Sequence, residues 1–155
     1  MYKKVLVPLD GSGLAECALS HVINLFKDGS VKEVTLLNVV KVDLRGAAMG
    51  VDEYPKSIDL QAIREPLFIA SRKYLADIES RLVSEGIKVK TESLEGNRPA
   101  DIITEYAQKE GTDMIIIGTH GYTGLKKLLL GSVAWGVLHQ SHIPILLIRP
   151  ESCRP

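Results

Sequence analysis

Apolar positions along the chain follow two different periods, and the switch between them recurs from one end to the other. Residues 4–9, "KVLVPL", form a short apolar run with Val5 and Val7, which fits a buried strand and is too short for a helix. Pro8 belongs at the end of that strand, where a missing N–H does least harm. "DGSG" breaks the run. From Leu14 the apolar residues Ala15, Ala18, Leu19, Val22, Ile23 and Phe26 recur at three and four, predicting an amphipathic helix with Ser12 as its N-cap. Residues 34–40, "VTLLNVV", predict a second strand. Residues 41–57 show no period and contain Gly46, Gly50 and Pro55, so a long mobile connection is expected there.

A long helix is predicted over residues 59–85, ended by Gly86, with Leu67, Ala70, Tyr74, Leu75, Ile78 and Leu82 as its buried stripe. Pro66 must either kink it or start it. Residues 88–94 alternate like a half-buried strand near an edge. Residues 99–110 predict a helix with Pro99 at its first position. "DMIIIG" is apolar on both faces and reads as a central strand. A helix over residues 131–140 and a fifth strand, "PILLIR", close the pattern.

Five strands separated by helices require parallel pairing and right-handed crossovers, with helices on both faces of the sheet. The expectation is a doubly wound α/β fold, one domain over residues 1–155. Ligands bind such sheets beyond the strand C-termini, where the strand order reverses. For the order 3-2-1-4-5 that point lies between strands one and four, which end in "PLDGS" and "IIIGTHG".

Composition removes several classes of function. The chain has 155 residues, 45% hydrophobic and 25% charged, as in an ordinary globular domain. Lys plus Arg and Asp plus Glu are both 19. That balance gives no footprint for duplex nucleic acid or an anionic membrane. No run reaches the about 18 apolar residues of a membrane span, and the N-terminal apolar run is too short for a secretion signal. A cytoplasmic location is expected. Cys17 and Cys153 lack metal spacing and are expected to be reduced.

The candidate chemistry lies in "GTHGYTGLKKLLLGS", residues 118–132. Gly118 and Gly121 fit a tight turn that a ligand can approach closely, although glycines also serve as plain turn residues. Gly131-Ser132 opens a helix whose free N–H groups and dipole suit an anion, most naturally a phosphate. Lys126 and Lys127 could add charge but read more simply as a solvated face. The chain lacks G-x-x-x-x-G-K-S/T, G-x-G-x-x-G at the first turn, and G-x-S-x-G. His21, His120, His139 and His142 have no metal-ligand spacing, so no metal site is assigned. His120 reads as a loop histidine, Trp135 and Met114 as core or interface packing, and no catalytic residue is assigned. Arg45 has only its position in the long connection to suggest a role.

Gly118-x2-Gly121-x9-Gly131-Ser132 resembles the G-2x-G-9x-G-S/T signature of the ATP-binding branch of the universal stress protein family. "KKVLVPLDGS" and "HIPILLI" are similar to that family's first and last strands, so the resemblance covers the whole chain. It implies an adenine nucleotide alpha hydrolase-like fold and a bound adenine nucleotide: ATP, with AMP and cyclic AMP as alternatives and Mg2+ accompanying ATP. Carried over by position, Pro8 and Asp10 would line the adenosine pocket and Val39 would contact adenine. Ile117 would face the nucleoside, and Gly118 and Gly121 the ribose and phosphates. Gly131, Ser132 and Val133 would hold the phosphate chain. The resemblance also implies a homodimer joined through the last strand, Ile145–Ile148, and a regulatory stress-response role with an unknown protein partner. The alternative is a slow ATP hydrolase or nucleotide-dependent transferase using His120 or Asp10 as base. Phosphoryl transfer needs a held metal and an oriented nucleophile, and the sequence shows no such set. A third reading is a pure interaction module, against which the intact signature speaks.

Overall fold

The structure is a computed structural model and describes residues 2–44, 59–119 and 130–149. Strands β1 (Tyr2–Pro8), β2 (Val31–Val40), β3 (Lys88–Glu95), β4 (Met114–Gly118) and β5 (Ile145–Ile148) form one sheet of order β3-β2-β1-β4-β5. Every pairing is parallel. The helices are α1 (Gly13–Glu16), α2 (Ala18–Lys27), α3 (Leu60–Ser84), α4 (Pro99–Lys109) and α5 (Ser132–Gln140). This is the expected doubly wound fold.

Alternate residues of the strands feed two separate cores, as the strand period of two demands. Val5, Val7 and Leu36 pack with Leu19 and Val22 of α2 and with Leu75, Ile78 and Leu82 of α3. Leu6, Leu37, Ile115 and Ile117 pack with Ile103 and Ala107 of α4 and with Ala134 and Val137 of α5. Each face of the sheet is therefore covered, which is why β1 and β4 read as near-continuous apolar runs.

Four expectations need correction. The first predicted helix is two helices that meet at Cys17; Ser12 does cap the first, its Oγ accepting from Ala15 N at 3.1 Å. Cys17 is disulfide-bonded where a free thiol was expected. Its Sγ lies 3.8 Å from the Arg149 carbonyl oxygen, so the chain leaving β5 starts beside a residue remote in sequence. In α3, Asp59 is the N-cap and Pro66 lies inside the helix, which neither starts nor ends there. Its buried stripe is Ser71, Leu75, Ile78 and Leu82, while Leu67 and Ala70 face solvent. The stripe sits where it does because Ser71 reaches the sheet through hydrogen bonds, and residues 59–70 bury no side chain fully. Finally, Trp135 is 58% exposed, which rules out a core role within this chain, whereas Met114 is buried as expected. Of the predicted connection 41–57, residues 41–44 are described and carry no helix or strand; the rest lies outside the described residues.

Helices α4 and α5 approach each other at Gly136, where an added Cβ would stand 2.6 Å from the Ala100 Cβ. Replacing a helical glycine by alanine ordinarily gains about 1 kcal/mol. Here the new methyl would meet a backbone-fixed one, and overpacking costs about 1–3 kcal/mol, so the sign reverses. Gly136→Ala is expected to lower stability in urea unfolding, and adding Ala100→Gly to restore most of the loss. A more stable Gly136→Ala protein would show that the helices have room to separate.

Candidate functional site

Where β1 ends, the chain turns through Asp10, Gly11 and Ser12. Gly11 has φ +84°, in the left-handed region that glycine enters at little cost. The Asp10 carboxylate accepts a hydrogen bond from Ser12 N at 2.9 Å, an Asx-type closure that holds the turn. Just before it, Leu9 N donates to the Leu37 carbonyl at 2.8 Å, and Asn38 Nδ2 donates to the Leu9 carbonyl at 2.8 Å. The position of Asp10 is thus set from β2 on one side and from α1 on the other.

At the end of β4, Thr119 is buried with both its N–H and its hydroxyl directed at the Ile148 carbonyl, 2.8 and 3.3 Å away. This bond ties Gly118 to the end of β5. Across the opening, α5 begins with Gly131 as an extended N-cap that has no side-chain hydrogen bond, and its first turn contains no acidic residue. The first N–H groups of a helix have no partners within it, and the first turn carries no acidic side chain against the positive end of the dipole. The arrangement suits an anion.

These parts enclose a cavity of about 380 Å³ at the C-terminal mouth of β1 and β4. That is within the ~300–1,000 Å³ range of small-ligand sites. Pro8, Asp10 and Val39 line it from β1 and β2; Ile117, Gly118, Gly131, Ser132 and Val133 line it from β4 and α5. Eight predicted residues from four elements therefore meet at one place. Gly121, His120, Lys126 and Lys127 lie outside the described residues. Ile117 is nearly buried and offers the cavity little surface. Among the described residues, no three His, Cys, Asp or Glu side chains converge in a way that could hold a metal ion. The Tyr74 hydroxyl behind the turn is pushed up to about 12, chiefly by burial and then by the Glu16 carboxylate, so it adds no charge at neutral pH.

The cavity also takes in residues that sequence reasoning passed over, notably Asn38, Lys41, Pro99 and Ile103. Lys41 stands just beyond the end of β2, two residues after Val39, at the mouth of the cavity. Asn38 carried a signal, as a polar residue set within an apolar run. Pro99 and Ile103 come from the opposite side of the cavity, and no local pattern announces them. No helix among the described residues is long and apolar enough to cross a membrane.

Fold and cavity together define a doubly wound α/β protein with a ligand-sized site at its topological switch point. The universal stress protein family model matches residues 1–149, and the chain belongs to that family. A universal stress protein of Methanocaldococcus jannaschii is 37% identical over 160 residues, with 98% of each chain covered. The solved structure of that protein superposes with a TM-score of 0.75 at 36% identity, over 96% of each chain. Two more distant structures share the fold. An Arabidopsis thaliana family protein with AMP bound has a TM-score of 0.66 at 16% identity, covering 95% of this chain and 91% of that one. A universal stress protein in complex with cAMP has a TM-score of 0.60 at 18% identity, covering 96% and 97%.

Proposed function

We propose that the protein, as one domain over residues 1–155, binds an adenine nucleotide in the cavity between β1 and β4 and acts as a nucleotide-dependent regulator in the stress response. One observation carries this reading: the residues of the glycine signature that are described, together with the residues of the β1 block, line a single cavity that includes an uncapped helix N-terminus. Asp10 and Val39 would address the nucleoside, and Gly131, Ser132 and Val133 the phosphates. Family proteins in complex with AMP and with cAMP support the ligand class. ATP is the preferred ligand in this reading, because the N–H groups of α5 and the Ser132 hydroxyl suit more than one phosphate. Any Mg2+ would then come with the triphosphate. Nucleotide occupancy would set a surface read by a protein partner, in the cytoplasm.

Freshly purified protein, once denatured, should release an adenine nucleotide identifiable by mass spectrometry, and calorimetry should show ATP or AMP binding. An empty protein with no heat signal at millimolar ligand would sink the reading. A hydrogen bond to a charged group contributes about 1.5–3 kcal/mol. Ser132→Ala should therefore weaken ATP about tenfold or more and adenosine much less. Equal losses for both ligands would remove Ser132 from the phosphate end.

The same reading includes a homodimer through β5, Ile145–Ile148. Ile115 N donates to the Pro144 carbonyl and Thr119 N to the Ile148 carbonyl, so the even-numbered residues of β5 face β4. Ile145 and Leu147 then turn their N–H and C=O groups to the open edge. Trp135 and Leu138 add exposed apolar surface on the helix that leads into this strand. Leu147→Pro removes one outward N–H without touching the β4 ladder. Sedimentation should find a wild-type dimer and a folded Leu147→Pro monomer; a dimeric variant would place the contact elsewhere.

A further inference from the structure

Behind the cavity, three side chains from three elements form a continuous hydrogen-bond chain. Ser71 of α3 donates its Oγ hydrogen to Asn38 Oδ1 of β2 at 2.7 Å, and Ser71 Oγ stands 2.7 Å from Ser93 Oγ of β3. Asn38 Nδ2 donates to the Leu9 carbonyl at 2.8 Å. Ser71 is 7% exposed and sits among apolar neighbours on the α3 stripe. A serine has one hydrogen to give. Since Ser71 gives its hydrogen to Asn38, Ser93 must donate to Ser71, and the chain runs in one direction: Ser93 to Ser71 to Asn38 to Leu9. The direction also fixes the amide, because a flipped Asn38 would face the Leu9 carbonyl with an oxygen and leave two acceptors opposed.

The end of this chain is where the site is set. The β1–β2 register stops at Pro8–Leu37, and one residue further the Leu9 carbonyl takes its hydrogen from the Asn38 side chain. The next residue is Asp10. Three residues after Ser71, Tyr74 brings its buried hydroxyl beside Gly11 and Glu16. Helix α3 thus reaches Leu9, just before the turn, through Asn38, and the turn itself at Tyr74. We infer that Ser71 and Asn38 are positioning residues for Asp10, and that through them the placement of α3 governs affinity at the nucleoside end of the site. The inference rests on the adenine-nucleotide reading above. Its regulatory consequence is reciprocal: whatever shifts α3 changes nucleotide affinity, and nucleotide binding shifts α3 by the same free energy.

The test is a double-mutant cycle by calorimetry on the full chain. Groups that share one network couple measurably, so Ser71→Ala should weaken ATP, AMP and adenosine alike, by about fivefold. In an Asp10→Ala background the same change should have almost no effect. Asn38 also lines the cavity, so Asn38→Leu should lose at least as much affinity as Ser71→Ala, with circular dichroism and thermal melting used to select folded variants. Should neither variant fold, Ser93→Ala removes the first donor of the chain and should give the same pattern with a smaller loss. As an independent readout, ATP should slow amide exchange in α3 around Ser71 in the wild type and not in the Asn38 or Ser93 variant. Wild-type affinity in folded Ser71→Ala, an equal loss with and without Asp10, or a loss confined to ATP would each overturn the inference. A wild type that binds no nucleotide would instead overturn the reading beneath it, and this inference with it.

Discussion

Everything at the site depends on where a parallel sheet must change direction. Strand β1 lies at the centre, with β2 and β3 added on one side and β4 and β5 on the other. Right-handed crossovers then send the helices after β1 and β4 to opposite faces. Helix α2, reached from β1, packs on one core, and α5, reached from β4, on the other. The two chains leaving neighbouring strands diverge, and no side chain has to be removed to open a cavity between them. Pairing shows the divergence directly: β1 and β2 stay in register as far as Pro8, while β1 and β4 have only two paired positions, the last being Leu6 with Ile115.

A gap of this kind exposes backbone groups that the sheet and the helices leave unpaired, and the chain treats its two sides differently. On the β1 side polar groups are satisfied internally: Ser12 N by Asp10, the Leu9 carbonyl by Asn38, Ala15 N by Ser12. On that side the hydrogen bonds close among the chain's own groups, with the Asp10 carboxylate as the charged member. On the α5 side the first-turn N–H groups have no side-chain cap. Helix-start donors without a side-chain cap carry partial positive charge, so one wall closes its polar groups internally while the other offers N–H groups to a ligand. A ligand with a recognisable body and an anionic tail matches this division.

Much of this was legible in the sequence because it depends on local rules. The alternation of periods gave all five strands and their parallel pairing, and the family resemblance carried by the glycine spacing and the "PLDGS" block gave eight residues of one cavity. What was not legible depends on tertiary placement. Ser71 had no place in the predicted stripe beginning at Leu67, because a serine declares its burial only when its partners are known, and these come from β2 and β3. The break at Cys17 leaves apolar spacing unchanged on either side, so periodicity could not show it. Pro99 and Ile103 enter the cavity from α4, which the core under the sheet holds in place beside α5.

The two edges of the sheet differ in a way that bears on assembly. Strand β3 presents Lys88, Lys90, Glu92 and Glu95. Lys88 is paired with Glu33 at 2.6 Å, Lys90 with Glu92 and Glu110, and Glu95 is held by Arg64 at 2.8 Å. Exposed pairs of this kind add little stability, but charge on an edge strand discourages pairing with another sheet. Strand β5 is "ILLI", four apolar residues with no charge. If β5 pairs with itself about a two-fold axis, both open edges are consumed and a charged β3 is left at each outer end. An isologous contact of that kind closes on itself, so the same asymmetry that permits the proposed dimer also prevents a longer stack of sheets.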